Sequence, residues 1–306
     1  MTIHQRASKL PDTVVPTGSR PMPTVPGVQH RQVETGRLRV HIAEAGSGPP
    51  LLLLHGWPQH WYAWRKLIPL LAGSHRLICP DLRGFGWTDA PDGGYRTADL
   101  AADAVALLDA LELDRVDMIG QGEGGRVGFE LCLSQPDRIG RLVTLGAMHP
   151  YPSRPLLAAQ AWRYWWTPLV ETSQLGRRVI GHLPAVTRAV LRASAAGSGE
   201  LSDGAIEEFV ASVREPARAR ASERLMHEFA YHEMLPELWG ANQSRRLRVP
   251  VLMLNGGRDF FVPARALGGF EPYADDLRVH VIPAAGALLA EVCPQVVADA
   301  ALAFFG

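Results

Sequence analysis

The segment MIGQGEGGRVG, residues 118–128, combines glycines and a carboxylic acid at a spacing that could do chemistry. A strand pattern precedes it and a helix pattern follows it. The glycines have the Gly-x-Nu-x-Gly spacing of a sharp strand-to-helix turn that presents a nucleophile (Nu). Gly122, which has no side chain, occupies the nucleophile position. The neighbouring Glu123 is the nearest side chain that could give or take a proton.

Other chemistry-bearing residues do not form a cofactor motif. No His, Cys, Asp or Glu group has metal-ligand spacing, so we expect neither a metal nor another cofactor. The run GQGEGG (120–125) superficially matches the dinucleotide motif GxGxxG, but the strand-to-helix turn explains it better. Cys79, Cys132 and Cys293 form no CxxC pair, which predicts reduced, buried thiols.

Composition restricts the class of protein and its partners. The 306 residues suffice for one large domain or for a core with an inserted subdomain. Because the formal net charge is zero, we expect no nucleic-acid partner and no anionic membrane partner. The sequence contains no apolar run long enough to span a bilayer and no apolar stretch typical of a secretion signal, so we expect a cytoplasmic protein.

Strand and helix patterns alternate along much of the chain. Short apolar runs ending in turn residues predict buried strands, and intervening segments have helical spacing. Predicted strands lie in 31–45, as two strands around a turn at Thr35-Gly36, and in 49–58, 75–86, 115–120, 139–150, 249–259 and 277–287. Predicted helices lie in 98–111, in 125–135 ending before Pro136, and in 294–305. This alternation predicts an α/β fold, a mostly parallel sheet flanked by helices.

The pattern changes after the strand at 139–150, because the residues that follow look helical throughout. We therefore predict an N-terminal arm at 1–28, an α/β core formed by 29–148 and 243–306, and an inserted helical cap at 149–242. Open α/β sheets bind ligands at the carboxyl ends of their strands, so we expect the cap to cover that edge.

Three longer segments carry a family resemblance. They are HGWPQHWYAW (55–64), DLRGFGWTDAP (81–91) and PDRIGRLVTLGAMHP (136–150). With them the chain resembles the α/β-hydrolases that carry a helical cap, and most of all the branch of epoxide hydrolases and haloalkane dehalogenases. The resemblance extends from about residue 30 to residue 306 and implies the α/β-hydrolase fold.

The catalytic positions depart from that branch. Its turn reads Gly-x-Asp-x-Gly-Gly, with the Asp as nucleophile, whereas this chain has Gly122. The general-base histidine is replaced by Ala287, and Trp166 and Met226 stand where the cap tyrosines that activate an epoxide would be. Asp259 matches the orienting acid, either as a vestige or as a second acid for a new task. The hydrolytic mechanism of the branch therefore cannot operate unchanged.

Glu123 has two interpretations. By analogy with the branch it projects into the cavity, where burial would raise its pKa and suit it to proton transfer. Alternatively it turns aside and pairs with a neighbour such as Arg126. The resemblance also offers His55, Trp57 and His149 as substrate contacts. For His55 and His149 a structural role is the alternative, and the backbone N–H groups of residues 57 and 123 are candidate donors to a substrate oxygen.

Aromatic residues indicate the class of ligand. Core loops supply Trp57, Trp61, Tyr62, Trp64 and Trp87, and the cap supplies Tyr164, Trp165 and Trp166. If these residues meet at the seam between cap and core, they line a cavity for a hydrophobic aromatic small molecule, preferably a large flat polycyclic one. The sequence is compatible with a homodimer.

Three functions follow as hypotheses. The preferred one is a cofactor-free, non-hydrolytic enzyme of natural-product biosynthesis that opens and cyclises an epoxide or forms a carbon–carbon bond on a polyketide-type aromatic substrate. The high Ala, Arg and Pro usage, which suggests a high-GC bacterium, favours it by association. The second is a catalytically dead binding protein: a carrier, sensor or resistance protein. The third is a hydrolase whose carboxylate has moved to Glu123.

Overall fold

An eight-stranded sheet forms the centre of the computed structural model, which describes residues 20–155, 167–197 and 201–306. The strands are β1 (Gln29–Glu34), β2 (Arg39–Ala45), β3 (Pro50–Leu54), β4 (Arg76–Pro80), β5 (Val116–Gln121), β6 (Ile139–Leu145), β7 (Val251–Gly256) and β8 (Leu277–Ile282). Their spatial order is β1-β2-β4-β3-β5-β6-β7-β8. The β1–β2 and β2–β4 pairs are antiparallel and all other pairs are parallel. The predicted fold class is confirmed.

Strand β3 illustrates why the sheet is buried on both faces. Its four leucines, 51–54, are fully buried, and they alternate between two apolar clusters on opposite faces of the sheet. Successive side chains of a strand point to opposite faces, so a continuous apolar run is stable only where both faces are covered by helices.

Helices cover the sheet and fill the interval between β6 and β7. They are α1 (Ile68–Leu71), α2 (Thr97–Ala110), α3 (Glu123–Ser134), α4 (Pro168–Glu171), α5 (Leu175–His182), α6 (Pro184–Ser194), α7 (Asp203–Arg214), α8 (Pro216–His227), α9 (Leu235–Leu238), α10 (Leu289–Val292) and α11 (Pro294–Phe305). Short 3-10 segments occur at Trp61–Trp64, Pro136–Arg138 and Ala264–Ala266, and a π-helical segment at Glu228–Met234 joins α8 to α9.

The helices α4–α9 and the π-helical segment form the inserted block, which we call the cap. The expected helical insertion between β6 and β7 is thus confirmed, although the boundary residues 149 and 242 stay a prediction. Helix α7 packs through Ile206, Phe209, Val210 and Val213, spaced so that one apolar face is buried. Trp166 and the other predicted cap aromatics lie at 164–166, outside the described residues.

The described end of the predicted N-terminal arm, residues 20–28, packs against both cap and core. The Arg20 guanidinium lies 4.1 Å from the ring centroid of Trp87, and its Nη2 donates to Ser212 Oγ at 3.0 Å on α7. It also pairs with Glu208 and Glu215. Residues 20–28 therefore form a strap between cap and core. No helix of the described residues is long and apolar enough to cross a membrane.

Candidate active site

The turn between β5 and α3 has the geometry of a nucleophile turn without a nucleophile. Gly122 adopts φ 52° and ψ −115°, a conformation that costs a residue with a side chain about 1–3 kcal/mol. A Cβ built on Gly122 would meet only Gly56 Cα, at 3.7 Å. A side chain would fit at this position. The turn thus keeps the space for a nucleophile, and the nucleophile is missing because the residue is glycine.

The neighbouring glycines let α3 approach the sheet closely. A Cβ on Gly124 would lie 2.0 Å from Leu54 O, and one on Gly120 would lie 2.5 Å from Gly124 O. Any side chain at either position would push the helix away from β3 and β5. The strand-to-helix packing predicted for the motif is therefore present.

Glu123, the first residue of α3, turns its carboxylate back toward the loop after β3. Its Oε2 accepts a hydrogen bond from Trp57 N at 2.7 Å, and its backbone N–H also donates to the side chain. Loss of hydration raises the pKa of this carboxyl, and the two backbone donors counteract part of that rise. The two amides expected to hold a substrate oxygen thus hold the protein's own carboxylate.

Arg126 does not pair with Glu123, so that alternative is wrong. Its Nη2 lies 3.0 Å from Glu237 Oε1 and 3.2 Å from Glu233 Oε2, both on the cap, and its guanidinium lies 4.6 Å from the ring centroid of Phe229. The guanidinium pairs with the two cap carboxylates of Glu233 and Glu237 and not with Glu123, because the Glu123 carboxylate already accepts backbone N–H groups. Arg126 therefore connects α3 to the cap.

A cavity of about 200 Å³ lies above Gly122 and Glu123. Its core side includes Gly56, Trp57, Gly122, Glu123, Ala147, Phe261, Val262 and Ala287, and its cap side includes Glu171, Ser194, Met226, Phe229 and Met234. Trp57, Gly122, Glu123, Ala287 and Met226 were predicted to lie together, and the structure brings them together. A second cavity of about 280 Å³ shares Arg126 and Met148 with the first.

His55 and His149 are not among the residues that line this cavity. His55 Nε2 accepts from Leu82 N at 3.0 Å, and His149 Nδ1 accepts from Tyr151 N at 3.2 Å. Burial lowers the pKa of both to about 4, so both rings are neutral near pH 7. Both hydrogen bonds connect loops, as the structural alternative expects, and neither ring lines the cavity.

Asp259 also acts on a loop. Its Oδ1 accepts from Phe261 N at 2.7 Å and from Val262 N at 2.9 Å. These bonds fix the turn after β7 that brings Phe261 and Val262 to the cavity wall. Asp259 itself is not among the lining residues, which agrees with the vestige interpretation.

Most of the described aromatics that were expected at the cavity lie elsewhere. Trp61 and Trp64 are fully buried, and Trp87 packs on His60 and under the strap. The 3-10 segment Trp61–Trp64 turns its rings onto the sheet, so they belong to the core. Trp57, Phe229 and Phe261 supply the aromatic lining, together with methionines.

Glu171 is the carboxylic acid in the lining that the sequence did not reveal. It ends the short helix α4, and burial raises the pKa of its half-buried carboxyl. The only signal was a single acid after the apolar run AWRYWWTPLV, which does not indicate where the side chain points. Among the described residues no group of three His, Cys, Asp or Glu side chains could hold a metal ion.

The cavity thus holds two carboxyl groups in mostly apolar surroundings. Neither Gly122 nor Ala287 can attack carbon or activate a water. The Trp57 amide cannot bind a substrate oxygen while Glu123 occupies it. The available chemistry is proton transfer, positioning of a ligand and exclusion of water.

Comparisons with known proteins agree with this geometry. A family model described as alpha/beta hydrolase fold matches residues 49–292. Epoxide hydrolase 1 of Siraitia grosvenorii is 41% identical over 134 residues, or 43% of this chain and 42% of the relative. The soluble epoxide hydrolase of Corynebacterium sp. (strain C12) is 42% identical over 118 residues, or 39% of this chain and 41% of the relative. The matched part spans about two fifths of either relative. The structure of the epoxide hydrolase CorEH without ligand gives a TM-score of 0.74 at 26% identity, covering 91% of this chain and 98% of that chain.

Proposed function

The chain belongs to the alpha/beta hydrolase fold family and is similar to its epoxide hydrolases, and we propose that it is a cofactor-free enzyme that rearranges an epoxide without adding water. The ligand is an apolar aromatic small molecule. The reaction is an internal epoxide opening with cyclisation, or the formation of a carbon–carbon bond within the ligand. As the sequence suggests, the pathway is natural-product biosynthesis.

One observation carries the proposal. At the point where the family's mechanism needs an attacking atom, Gly122 has none, and the carboxylate of Glu123 accepts the Trp57 N–H at 2.7 Å instead. Loss of nucleophile and base removes on the order of a millionfold in rate in a well-studied triad. Occupation of the oxyanion-binding amide removes a further source of hydrolytic catalysis. A basic carboxylate beside an apolar cavity remains.

The proposed step balances without a co-reactant. A nucleophilic group of the ligand, such as a hydroxyl, forms a bond to one epoxide carbon. The carbon–oxygen bond at that carbon breaks, and the electron pair stays on the epoxide oxygen, which becomes a hydroxyl after protonation. Glu123 takes the proton released by the nucleophile, so the product is an isomer. Orientation of the reacting atoms can supply roughly 7–11 kcal/mol, and a positioned base about 10²–10⁴-fold.

The cavity argues for a smaller ligand than the sequence suggested. Its volume of about 200 Å³ is near the ~150 Å³ of an engineered cavity that binds benzene. One or two rings fit that space, whereas a large polycyclic ligand would require the cap to move. We therefore propose a substrate with one or two aromatic rings.

Two other functions compete with this proposal. A binding protein without chemistry is favoured by the hydrogen bond from Trp57 N to Glu123, because an amide that is already occupied cannot stabilise an oxyanion. A hydrolase that attacks through Glu123 is disfavoured, since that carboxylate would first have to give up the hydrogen bond from Trp57 N.

Glu123→Gln separates these functions. We would incubate wild type, Glu123→Gln and the exposed control Glu112→Gln with a panel of one- and two-ring aryl epoxides that carry a hydroxyl, and measure ligand affinity by tryptophan fluorescence. Gln can still accept the Trp57 N–H, so the fold and the affinity should persist while isomer formation falls about 100-fold or more. Unchanged turnover in Glu123→Gln would refute its role, and tight binding without any product from wild type would favour the binding protein.

A further inference from the structure

We infer that Glu171 is the proton donor to the ligand, a second catalytic carboxyl that acts from the cap opposite Glu123 on the core. This inference rests on the proposed function and names a residue that the family resemblance does not offer.

The placement of the two acids is the first argument. Glu171 ends α4, and Glu123 begins α3 on the other side of the cavity. Among the described residues that line this cavity they are the only carboxylic acids. A ligand between cap and core would touch one acid with each side. Opening an epoxide needs this arrangement, because a proton must be added at oxygen while another is removed from the attacking group.

The absence of a counter-cation is the second argument. Arg126 is the cation in the cavity wall, and it is bound to Glu233 and Glu237. Within the described part of the chain, no ion pair joins Glu123 or Glu171 to a basic side chain. Two carboxylates that share a mostly apolar cavity without an ion pair are costly, which favours the protonated state of one of them near neutral pH.

The surroundings decide which acid keeps its proton. The carboxylate of Glu123 accepts two backbone N–H groups at the start of a helix, and both donors favour the ionised form. Desolvation is the largest influence on both carboxyls and raises both pKa values, but the hydrogen-bond donor to Glu171 is the Thr167 hydroxyl and not a pair of backbone N–H groups. Glu123 is therefore the base and Glu171 the acid.

Other charged groups near α4 leave this assignment intact. His227 on α8 lowers the pKa of Glu171, although its Nδ1 donates to the backbone oxygen of Glu171 at 3.0 Å and not to the carboxyl. The Thr167 hydroxyl acts in the same direction. Glu223 on α8 accepts from Gln174 N and Arg177 N, so its charge is engaged at the start of α5.

The completed step uses both acids. Glu171 gives its proton to the epoxide oxygen as the carbon–oxygen bond breaks, and Glu123 takes the proton of the attacking group as the new bond forms. The product leaves with the atoms of the substrate. Glu171 then regains a proton from solvent while Glu123 releases one, so no oxidant, reductant or added water is consumed.

Infrared titration tests the protonation states without requiring turnover. We would record the carbonyl stretch of protonated carboxyl groups near pH 7 for wild type, Glu171→Gln, Glu123→Gln and the exposed cap control Glu207→Gln. Because Glu291 and Asp117 also have raised pKa values, the test compares variants: one carbonyl band should disappear in Glu171→Gln and persist in Glu123→Gln and Glu207→Gln. A Glu171→Gln spectrum identical to that of wild type, or loss of the band in Glu123→Gln, would overturn the assignment.

Turnover against pH tests the donor role itself. In wild type the rate should decline at high pH because the donor loses its proton. Glu171→Gln should form isomer about 100-fold or more slowly, and its rate should no longer show that decline. Glu171→Asp should restore part of both. If wild type turns over and Glu171→Gln has the same pH profile, the donor role of Glu171 is refuted and the proposed function stands. If wild type is inactive, the proposed function is refuted, and the donor role is refuted with it.

Discussion

Gly122 keeps the backbone of a nucleophile turn and provides no atom that could attack. Its positive φ costs a glycine little, so the turn is more stable than it would be with an aspartate. Glu123 places a carboxylate at the Trp57 amide instead. At the scale of single residues, the function we propose replaces covalent catalysis by proton transfer.

Restoring the nucleophile should restore covalent chemistry. A side chain at 122 meets no close contact, so Gly122→Asp should fold, with a loss of about 1–3 kcal/mol in the free energy of unfolding. Incubated with an aryl epoxide, this variant should gain the mass of the ligand, because Ala287 provides no histidine to activate the water that would hydrolyse the ester. Gly122→Asp with Ala287→His should release a product heavier by one water. Intact-protein mass spectrometry that finds no adduct on Gly122→Asp would show that the turn no longer presents this position to a ligand.

Stability against pH should report the raised pKa of Glu123. Between the ordinary and the raised pKa the folded protein binds more protons than the unfolded chain, so its free energy of unfolding falls as pH rises. Glu123→Gln should make that decline shallower, with Glu112→Gln as the unaltered control. Urea unfolding from pH about 5 to about 8 measures it. A wild-type slope retained in Glu123→Gln would mean that Glu123 titrates alike in both states.

Secondary-structure elements were more predictable than the directions of their side chains. The Thr35-Gly36 turn between β1 and β2 and the end of α3 before Pro136 follow from local turn and proline chemistry. The burial of Trp61 and Trp64 and the partners of Arg126 depend on contacts with elements distant in sequence. The place of Glu171 was not predicted because its helix has four residues, too few for the sequence pattern to show which face is buried.

The ion pairs of Arg126 should hold the cap on α3. Removing a largely buried cation leaves Glu233 and Glu237 without it, so Arg126→Ala should cost about 3 kcal/mol or more. Hydrogen exchange should accelerate in the π-helical segment and α9. The exposed pair of Arg188 with Glu207 offers a control, and Arg188→Ala should cost far less stability because solvent screens this pair. Equal losses in the two variants would contradict the role of Arg126 as the connection.

At the scale of the whole molecule, a mostly apolar cavity lies between the sheet and the cap. The sheet, the inserted helices and the shared place of Gly122, Ala287 and Met226 were all predictable from the ordered motifs of the sequence. The size of the cavity was not predictable because it depends on how the cap packs on the core, and the hydrogen bond from Trp57 N to Glu123 was not predictable because it depends on the direction of one side chain. Arg20 and Arg126 tie the cap to the core at two places, which favours exclusion of water during reaction.

Turnover in ¹⁸O-labelled water tests the central claim most directly. Wild-type protein would be incubated with hydroxyl-bearing aryl epoxides in labelled water, with heat-denatured protein as control, and the products separated and weighed by mass spectrometry. Our account predicts a product of unchanged mass, with a new retention time and no label. A product heavier by one labelled water would contradict it and show that the protein is a hydrolase.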